Sequence, residues 1–252
     1  MCQPKVSIIT VSYNSRKYIQ STIESVLSQT YCNIEYIIID GNSTDGTVDI
    51  IKSYNSRISK FISESDGGIY NAINKGINLA TGDIIGILNS DDFFAHPSVV
   101  TTIAHAFESP CIEMVYGDVR FVKCDDITKV VRYYSSKKFS IHKFQYGFMP
   151  AHPSCYIKKD TFLKYGYYKE DYLIGSDFEI LIRFLHTHGI KNKYIEMPFV
   201  TMRMGGVSNK SLKSFYILNK EIIRACRENS IKTNALKVYL KYFIKIFEFI
   251  RH

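Results

Sequence analysis

Two adjacent carboxylates, Asp91 and Asp92, follow a short apolar segment in the N-terminal half of the chain. Residues 84–88 are too few for a helix and end in the tetrad Asn89-Ser90-Asp91-Asp92, which is typical of a strand buried on both faces of a parallel sheet. Ligands of open α/β sheets bind beyond the carboxyl ends of such strands, and paired carboxylates there suit a divalent cation that holds a phosphate. A solvated turn that caps a helix near Pro97 explains the tetrad equally well, so both interpretations stay open at this point.

Three strand–turn–helix repeats precede the tetrad and indicate a parallel α/β sheet. Their spacing of about 25 to 30 residues is that of successive βαβ units. The three predicted strands are Lys5–Val11, Glu35–Asp40 and Lys60–Glu64. Asp40, Glu64 and Asp91 then stand just past strand ends, and parallel strands end at one edge of a sheet. We therefore expect these acids to share one crevice, which favours a polar ligand site over solvated turns.

Asp177 and His152 are two further candidate functional residues, one for catalysis and one for contact with a substrate. Asp177 precedes an apolar-periodic helix predicted at residues 178–187. A carboxylate at a helix start is stabilised in its ionised form, which suits a general base, although a plain N-cap explains it too. His152 lies between the two halves of the chain, where a structural histidine and a substrate contact are equally good interpretations.

The remaining pattern predicts further short elements around these residues. They are a helix at 97–107, a strand at 112–119, an antiparallel pair within 120–134 that turns at Asp125-Asp126, an irregular basic loop at 137–150, separate strands at 193–197 and 199–202, and a basic helix at about 211–228. Together with the N-terminal repeats, they predict an α/β domain followed by C-terminal helices.

Composition and charge exclude several classes of protein. No apolar run reaches the ~18 residues that a transmembrane helix needs. The six cysteines form no C-x-x-C pair, which argues against zinc, and their apolar neighbours predict small core residues of a reduced, cytosolic protein. A net charge of +8 favours phosphates, nucleic acid or an anionic membrane as partners. Nucleic acid is the least favoured of these, because no aromatic platform accompanies the lysines.

The C-terminal segment is basic and amphipathic. In residues 236–251 four charged residues recur at helical spacing and nearly all others are apolar; the four are Lys237, Lys241, Lys245 and Glu248. Such a helix suits the surface of an anionic membrane, or it packs on the main domain or on a second copy. The width of the apolar side favours the membrane, so we expect residues 235–252 to bind an anionic surface.

Several stretches, in this order and spacing, resemble family 2 glycosyltransferases with the GT-A fold. The stretches are residues 6–14, 35–47, 63–76, 80–92 and 175–179. The third of them is similar to a segment of the polysaccharide-synthesis branch, the colanic acid-type glycosyltransferases. The resemblance implies a GT-A three-layer sandwich with a mainly parallel central sheet at residues 1–205, with a nucleotide-sugar half at 1–119 and an acceptor half at 120–205. Residues 206–252 would form a helical extension.

The resemblance also implies roles for individual residues. The donor-binding residues would be Thr10, Ser12, Asp40, Asp66, Asn71, Lys75, Asn89 and Asp91. Asp40 would accept a hydrogen bond from the base, and Lys75 would contact a phosphate. Asp91 and Asp92 would hold Mg²⁺ or Mn²⁺ against the donor diphosphate. The family's metal motif often begins with Asp, whereas this chain has Asn89, which puts the role of that residue in question.

The implied activity is a metal-dependent hexosyl or related transfer with inversion. Asp177 would take the proton of the acceptor hydroxyl as its oxygen attacks the anomeric carbon, and His152 and Arg203 are candidate acceptor contacts. A UDP-sugar is the expected donor, and a saccharide or lipid-linked saccharide of a surface polysaccharide is the expected acceptor. The enzyme is expected to be cytoplasmic and peripheral at the inner face of the cell membrane.

Two other functions compete with this one. A nucleotidyltransferase would need a Gly-rich basic loop after the first strand, where Tyr13-Asn14-Ser15-Arg16 stands instead. A non-catalytic nucleotide-sugar-binding protein of the same fold would have no need of Asp177.

Overall fold

The computed structural model describes residues 3–204 and 212–240, apart from the side chains of Asn55 and Leu212. The described strands are β1 Val6–Ser12, β2 Ile34–Asp40, β3 Lys60–Ser63, β4 Ile84–Ile87, β5 Phe93–Phe94, β6 Met114–Val122, β7 Val130–Tyr134, β8 Tyr156–Lys158 and β9 Asn192–Arg203. The α-helices are α1 Ile19–Leu27, α2 Thr47–Ser53, α3 Ile69–Leu79, α4 Val99–Ala106, α5 Lys159–Tyr165, α6 Ser176–Ile182 and α7 Leu212–Glu228. A π-helical turn at Arg183–Thr187 continues α6, and residues 235–240 are also helical.

One mixed sheet joins these strands in the order β3-β2-β1-β4-β8-β6-β9-β5, with β7 paired to β6. The strands β1 to β4 are mutually parallel, and β6 is parallel to β9. The strands β8, β7 and β5 run against their neighbours β4, β6 and β9. The predicted α/β class with a mainly parallel central sheet is therefore confirmed.

The alternation of side chains along β1 explains why helices cover both faces of the sheet. All seven residues of β1 are buried. Ile9 and Val11 point into an apolar cluster that includes α3, whereas Val6 and Ile8 point into a second cluster that includes α1 and α4. Successive side chains of a strand face opposite sides, so a continuous run of apolar residues requires a layer on each face. Three layers result.

A glycine fixes how closely α3 approaches the sheet. A Cβ atom at Gly76 would lie 2.4 Å from Cγ2 of Ile9 in β1, so only glycine allows this separation between helix and strand. The N-terminal turn of α3, which begins at Ile69, follows the carboxyl end of β3 after residues 64–68. That is the edge at which the predicted donor site stands.

The second half of the sheet departs from the sequence-based prediction in two places. The strands predicted separately at 193–197 and 199–202 form the single strand β9, whose register against β6 shifts near Pro198. The short strand β5 was not predicted; Phe93 and Phe94, directly after Asp92, pair with Thr201 and Val200 of β9. A two-residue strand is too short to leave a periodic pattern, and only its partner strand defines it. The hairpin predicted around Asp125-Asp126 is confirmed.

The cysteines are only partly in the core. Cys155 and Cys226 are buried, but Cys32, Cys111 and Cys124 are exposed. The prediction that the cysteines serve as small core residues is therefore wrong for these three. Each of these three lies in a turn or loop between the strands and helices. Cys2 lies outside the described residues.

The C-terminal helices pack against the domain. Ile222, Ala225 and Cys226 of α7 are buried in the cluster that also contains α3 and α6, and Val238 of the segment 235–240 joins them. Leu236, Tyr239 and Leu240 remain exposed. Most of the predicted amphipathic helix, residues 241–251, lies outside the described residues. Within the described ranges, no helix has the length and apolar character needed to cross a bilayer.

Candidate active site

Asp40 is the last residue of β2, and among the described residues only serines donate hydrogen bonds to its fully buried carboxylate. Its oxygens accept hydrogen bonds from the hydroxyls of Ser12 (2.9 Å), Ser43 (2.6 Å) and Ser63 (2.8 Å), and from the amide of Ser43 (2.9 Å). Four donors match the roughly four lone-pair sites of a carboxylate. The predicted contact between Asp40 and a nucleotide base would therefore require one serine hydroxyl to turn away. In this arrangement, Asp40 ties together the ends of β1, β2 and β3.

Thr10 and Ser12 lie on β1 beside Asp40. The hydroxyl of Thr10 is 3.1 Å from the hydroxyl of Tyr36, and both residues are buried inside the sheet. Ser12 is the residue that reaches the edge, through its bond to Asp40. Of the two predicted nucleoside contacts, Ser12 is therefore the one whose side chain lies at the strand end.

The loop after β4 turns one of its two acids inward. Asp92 is 1% exposed, and Asn89 donates a hydrogen bond to its Oδ2 over 3.3 Å. Burial and the neighbouring charge of Asp91 raise the pKa of Asp92 well above its usual range, against smaller opposing effects of Asn89 and Arg203. Asp91 is half-buried. Asn89 thus orients the second acid of the pair.

The hydroxyl of Thr22, on α1, fixes the backbone of the same loop. It lies 2.9 Å from the carbonyl oxygen of Ser90 and 2.7 Å from that of Asp92. The hydroxyl of Ser90 is 2.7 Å from that of Ser15, in the loop after β1. The loop that carries both acids is therefore held from α1 and from the loop after β1.

Arg203, at the end of β9, also holds this loop. Its guanidinium donates to the carbonyl of Asp91 and, over 2.9 Å, to the hydroxyl of Ser21. It lies 4.9 Å from the ring centre of Tyr18 and 4.8 Å from that of Phe93. Both cation–π contacts and hydrogen bonds to a buried guanidinium fix its position. The residue predicted as an acceptor contact therefore lies beside the paired acids.

The paired acids fit a cation that is shared with a diphosphate. Among the described residues, no group of three or more acids, histidines or cysteines could hold a metal ion. Burial first, and the charge of Asp91 second, nevertheless raise the pKa of Asp92, so ionisation of both adjacent carboxylates calls for a compensating positive charge. Mg²⁺ is usually held by one or two carboxylates together with substrate phosphates and water. The donor set here agrees with that mode of binding and not with a site made of protein ligands alone.

The predicted donor-binding residues on α3 and before it each contact a different set of neighbouring residues. Asp66 accepts from the amide of Gly68 (2.9 Å) and abuts Gly41, where a Cβ atom would lie 2.8 Å from its Oδ2. Asn71 accepts from the amide of Gly67 (3.2 Å) and donates to Glu170 (2.9 Å). Lys75 forms an ion pair of 2.7 Å with Glu64, the third acid expected in the crevice.

Asp177 lies in the first turn of α6, and burial dominates its ionisation. Its Oδ1 accepts from the amide of Phe178 over 2.8 Å. Burial nevertheless raises the pKa of Asp177 to about 7, and the negative charge of Glu221 adds to the rise. The expectation that the helix start would favour the ionised form is therefore wrong, because loss of hydration outweighs the backbone donors. A carboxylate with a pKa near 7 is matched to proton transfer at neutral pH.

Side chains of two helices, α3 and α7, hydrogen-bond to the backbone of the loop before Asp177. Neither contact was predicted from the sequence. The hydroxyl of Tyr70, on α3, donates to the carbonyl of Ile174 and accepts from the amide of Ser176 over 3.2 Å. Glu221, on α7, accepts from the amides of Leu173 (2.7 Å), Ile174 (3.0 Å) and Gly175 (2.8 Å). Tyr70 lies within residues 63–76, one of the stretches that resemble family 2 glycosyltransferases. Nothing in the sequence indicated a role for Glu221.

His152 reaches the Asp177 loop through aromatic residues. Its Nε2 is 2.8 Å from the hydroxyl of Tyr168, and the Tyr168 ring stacks on that of Tyr70 with centroids 6.0 Å apart. Burial lowers the pKa of His152 to about 4, so the imidazole is neutral at pH 7. His152 thus supports the tyrosines around Asp177.

Contacts connect the paired acids to Asp177 along the carboxyl edge of the sheet. In order, they join Ser90 to Ser15, Asn14 to Ser43, Ser43 to Asp40, Gly41 to Asp66, Asp66 to Gly68, and Tyr70 to Ser176. These contacts therefore run along one edge of the sheet, from the loop of the paired acids at one end to the loop of Asp177 at the other.

Sequence comparison finds relatives over most of the chain. The model of the family described as Glycosyl transferase family 2 matches residues 7–213. An uncharacterized glycosyltransferase of Mycobacterium tuberculosis is 34% identical over 185 residues, which are 71% of this chain and 68% of that protein. The putative teichuronic acid biosynthesis glycosyltransferase TuaG of Bacillus subtilis is 38% identical over 112 residues, which are 43% of this chain and 44% of TuaG.

Solved structures share the fold at low sequence identity. S. aureus TarS 1–349 in complex with UDP-GlcNAc has a TM-score of 0.70 and 16% identity, over 88% of this chain and 66% of that chain. The mannosyltransferase PcManGT of Pyrobaculum calidifontis, in complex with GDP-Man and Mn²⁺, has a TM-score of 0.62 and 19% identity, over 90% of this chain and 64% of that one. The chain thus spans less than two thirds of these solved chains. Their likeness confirms the expected α/β fold of the GT-A type.

Proposed function

Because the chain belongs to glycosyl transferase family 2, we propose that it transfers a sugar from a UDP-sugar to a hydroxyl group of a saccharide, with inversion at the anomeric carbon. The observation that carries the proposal is Asp177, a carboxylate whose pKa of about 7 suits proton transfer and whose loop joins the donor edge of the sheet. UDP and UDP-GlcNAc complexes of TarS support the choice of nucleotide.

In the proposed reaction, Asp177 acts as the general base. Its carboxylate takes the proton of the acceptor hydroxyl while the oxygen forms a bond to the anomeric carbon. The bond between that carbon and the donor diphosphate breaks, and the diphosphate leaves with the electron pair. Attack from the face opposite the leaving group inverts the configuration. Tyr70 and Glu221 fix the backbone on the N-terminal side of the base.

Asp91 and Asp92 would hold Mg²⁺ or Mn²⁺ at the other end of the site, with Asn89 orienting Asp92. When bound, the cation neutralises charge that develops on the leaving diphosphate. The Mn²⁺ complex of the structural neighbour PcManGT supports this assignment. Ser12, Asp40, Asp66, Asn71 and Lys75 would line the donor, together with the backbone of Thr10.

We further propose that the acceptor belongs to a surface polysaccharide or to its lipid-linked precursor. The name of TuaG, which refers to teichuronic acid, supports this class of acceptor. His152 and Arg203 remain candidate acceptor contacts. The basic segment 235–252 would hold the enzyme at the inner, anionic face of the membrane, where a lipid-linked acceptor is presented; the exposed Leu236, Tyr239 and Leu240 agree with such a role.

A donor screen with and without acceptor tests the proposed function. Wild type with Mg²⁺ or Mn²⁺ is expected to release UDP from one UDP-sugar, and Asp177→Asn is expected to abolish that release. Asp160→Asn is the matched control, because Asp160 also occupies the first turn of a short helix but is exposed. Intact UDP- and GDP-sugars in every reaction would favour a binding protein. Full turnover by Asp177→Asn would remove Asp177 as the base.

A further inference from the structure

Glu221 differs from Glu228, the other acid of α7, in the groups that it contacts. Glu228, two turns further along the helix, forms ion pairs with Lys169 and Arg224. Glu221 is 8% exposed, and its carboxylate accepts hydrogen bonds from three consecutive backbone amides, those of Leu173, Ile174 and Gly175. A buried charge that accepts several amide hydrogen bonds fixes the backbone that supplies them. The fixed segment ends two residues before Asp177.

Close packing shows that this contact is built into the fold. A Cβ atom at Gly175 would lie 3.1 Å from Cβ of Glu221 and 3.2 Å from its Oε2. Glycine at this position therefore lets α7 approach the loop until the carboxylate meets the amides. On the opposite side of the loop, Tyr70 holds Ile174 and Ser176. The segment that carries the base has little freedom between the two helices.

We propose that Glu221 is a positioning residue for the transfer step, and that through it the C-terminal helix α7 sets the position of Asp177. This inference rests on the proposed function of Asp177 as the base. It gives the extension after residue 205 a part in catalysis that is separate from any attachment to a membrane.

Glu221 also acts on Asp177 through its charge. Among the described residues, the titratable groups whose charge interacts with that of Asp177 are Tyr70 from α3, Cys155 before β8, Tyr168 from the loop after α5, and Glu221 from α7. Burial raises the pKa of both phenols and of the thiol, so these three groups stay neutral at pH 7. Among these four groups, the negative charge beside Asp177 is therefore that of Glu221, which opposes ionisation of Asp177.

The test compares Glu221→Gln with Glu228→Gln, the same change on the same helix. Glu221→Gln is expected to lower kcat by about tenfold or more with KM for the donor within about twofold, because a misplaced base affects the transition state more than donor binding. The acid limb of its kcat profile moves to lower pH, since a negative neighbour has been removed. Glu228→Gln is expected to lower stability only. Equal kcat and equal acid limbs in the two variants would overturn the inference.

A second variant separates position from charge. Glu221→Asp keeps the charge but withdraws the carboxylate by one methylene, so kcat falls and the acid limb stays in place. Unchanged kcat in Glu221→Asp and Glu221→Gln alike would contradict a positioning role.

A stability measurement keeps the test independent of activity. The difference in Tm between each protein and its Asp177→Asn derivative is followed from about pH 5 to 9, because the pH at which this difference stops changing reports the pKa of Asp177 in the folded protein. The difference is expected to level off at lower pH in the Glu221→Gln background than in wild type, and levelling off at the same pH would count against Glu221. Absence of transfer by wild type would instead contradict the proposed function.

Discussion

The amide of Ser176 donates a hydrogen bond to the hydroxyl of Tyr70 over 3.2 Å. This bond joins the loop before Asp177 to α3, the helix that borders the predicted donor site. Tyr70→Phe removes this contact and keeps the ring that stacks on Tyr168. We expect kcat to fall about tenfold and the free energy of unfolding to fall by about 1 kcal/mol.

The control for Tyr70→Phe is Tyr31→Phe, which removes another hydroxyl that bonds a backbone carbonyl, that of Pro4 (2.6 Å). It is expected to lose similar stability at full activity. Steady-state kinetics and urea unfolding of both variants check the prediction, and an equal kcat in the two would contradict it.

The raised pKa of Asp177 makes activity and stability depend on pH in opposite directions. A base must be ionised, so kcat/KM is expected to rise with pH up to about 7 and then level off. A folded-state pKa above the unfolded value favours the neutral form, so its stabilising contribution is complete below about pH 4 and is lost as pH rises through about 7. Asp177→Asn should therefore have a higher Tm than wild type at pH 8, and this difference should be smaller at pH 5. Parallel Tm curves would show that burial does not perturb this carboxyl.

Arg203→Lys distinguishes two roles for Arg203. Lysine cannot reproduce the planar, multi-donor contact with Asp91 and Ser21 or the position between the rings of Tyr18 and Phe93. We expect the metal concentration for half-maximal activity to rise about tenfold, because the loop of paired acids loses one of its supports.

Arg120→Lys is the matched control for this change, since Arg120 also donates to a hydroxyl and a carbonyl, those of Thr201 and Ala95. It should change stability and leave metal activation unaltered. If Arg203→Lys raises KM for the acceptor alone, Arg203 is instead the acceptor contact predicted from the sequence.

Glu35 supports the sheet at the edge opposite the site. Burial opposes its ionisation, but hydrogen bonds from Ser7, Thr81 and Lys60 outweigh this and lower its pKa to about 2. Glu35→Gln is expected to cost about 2–4 kcal/mol of stability at pH 7 with kcat unchanged. Because the folded pKa is depressed, this contribution is complete above about pH 4.5 and is lost as pH falls towards about 2. Chemical denaturation at several pH values checks this, and a constant difference between the two proteins would refute it.

Truncation after Leu240 tests membrane attachment without disturbing the core. It keeps Val238, which is buried, and Asn234, whose side chain accepts from the amide of Lys237. Removal of residues 241–252 is expected to release the protein from anionic liposomes and to leave Tm unchanged, because the removed residues supply two lysines and an apolar face. Binding that survives the truncation would place any membrane contact elsewhere.

The sequence by itself determined the N-terminal half of the fold and singled out the candidate residues of the site. Strand runs with period two, helix runs with period 3.6 and polar turns between them are local signals, so the first four strands and the acids at their ends could be read in order. Asp91, Asp92 and Asp177 stood out because each ends or begins such a run. The order of the motifs was enough to indicate the family that the comparisons later established.

Only the tertiary structure decided which side chains support those acids. The hydrogen bonds from Ser12 and Ser63 to Asp40, and the position of Arg203 beside Asp91, join residues that are distant along the chain. The burial of Asp92 likewise depends on the elements packed around its loop. Burial of Asp177 reversed the effect expected from the helix start, because solvation depends on the surrounding layers and not on the local helix. Glu221 bonds three amides that lie 46 to 48 residues away. Pairings of this kind carry no local periodicity, so folding alone brings Glu221 to the loop of Asp177.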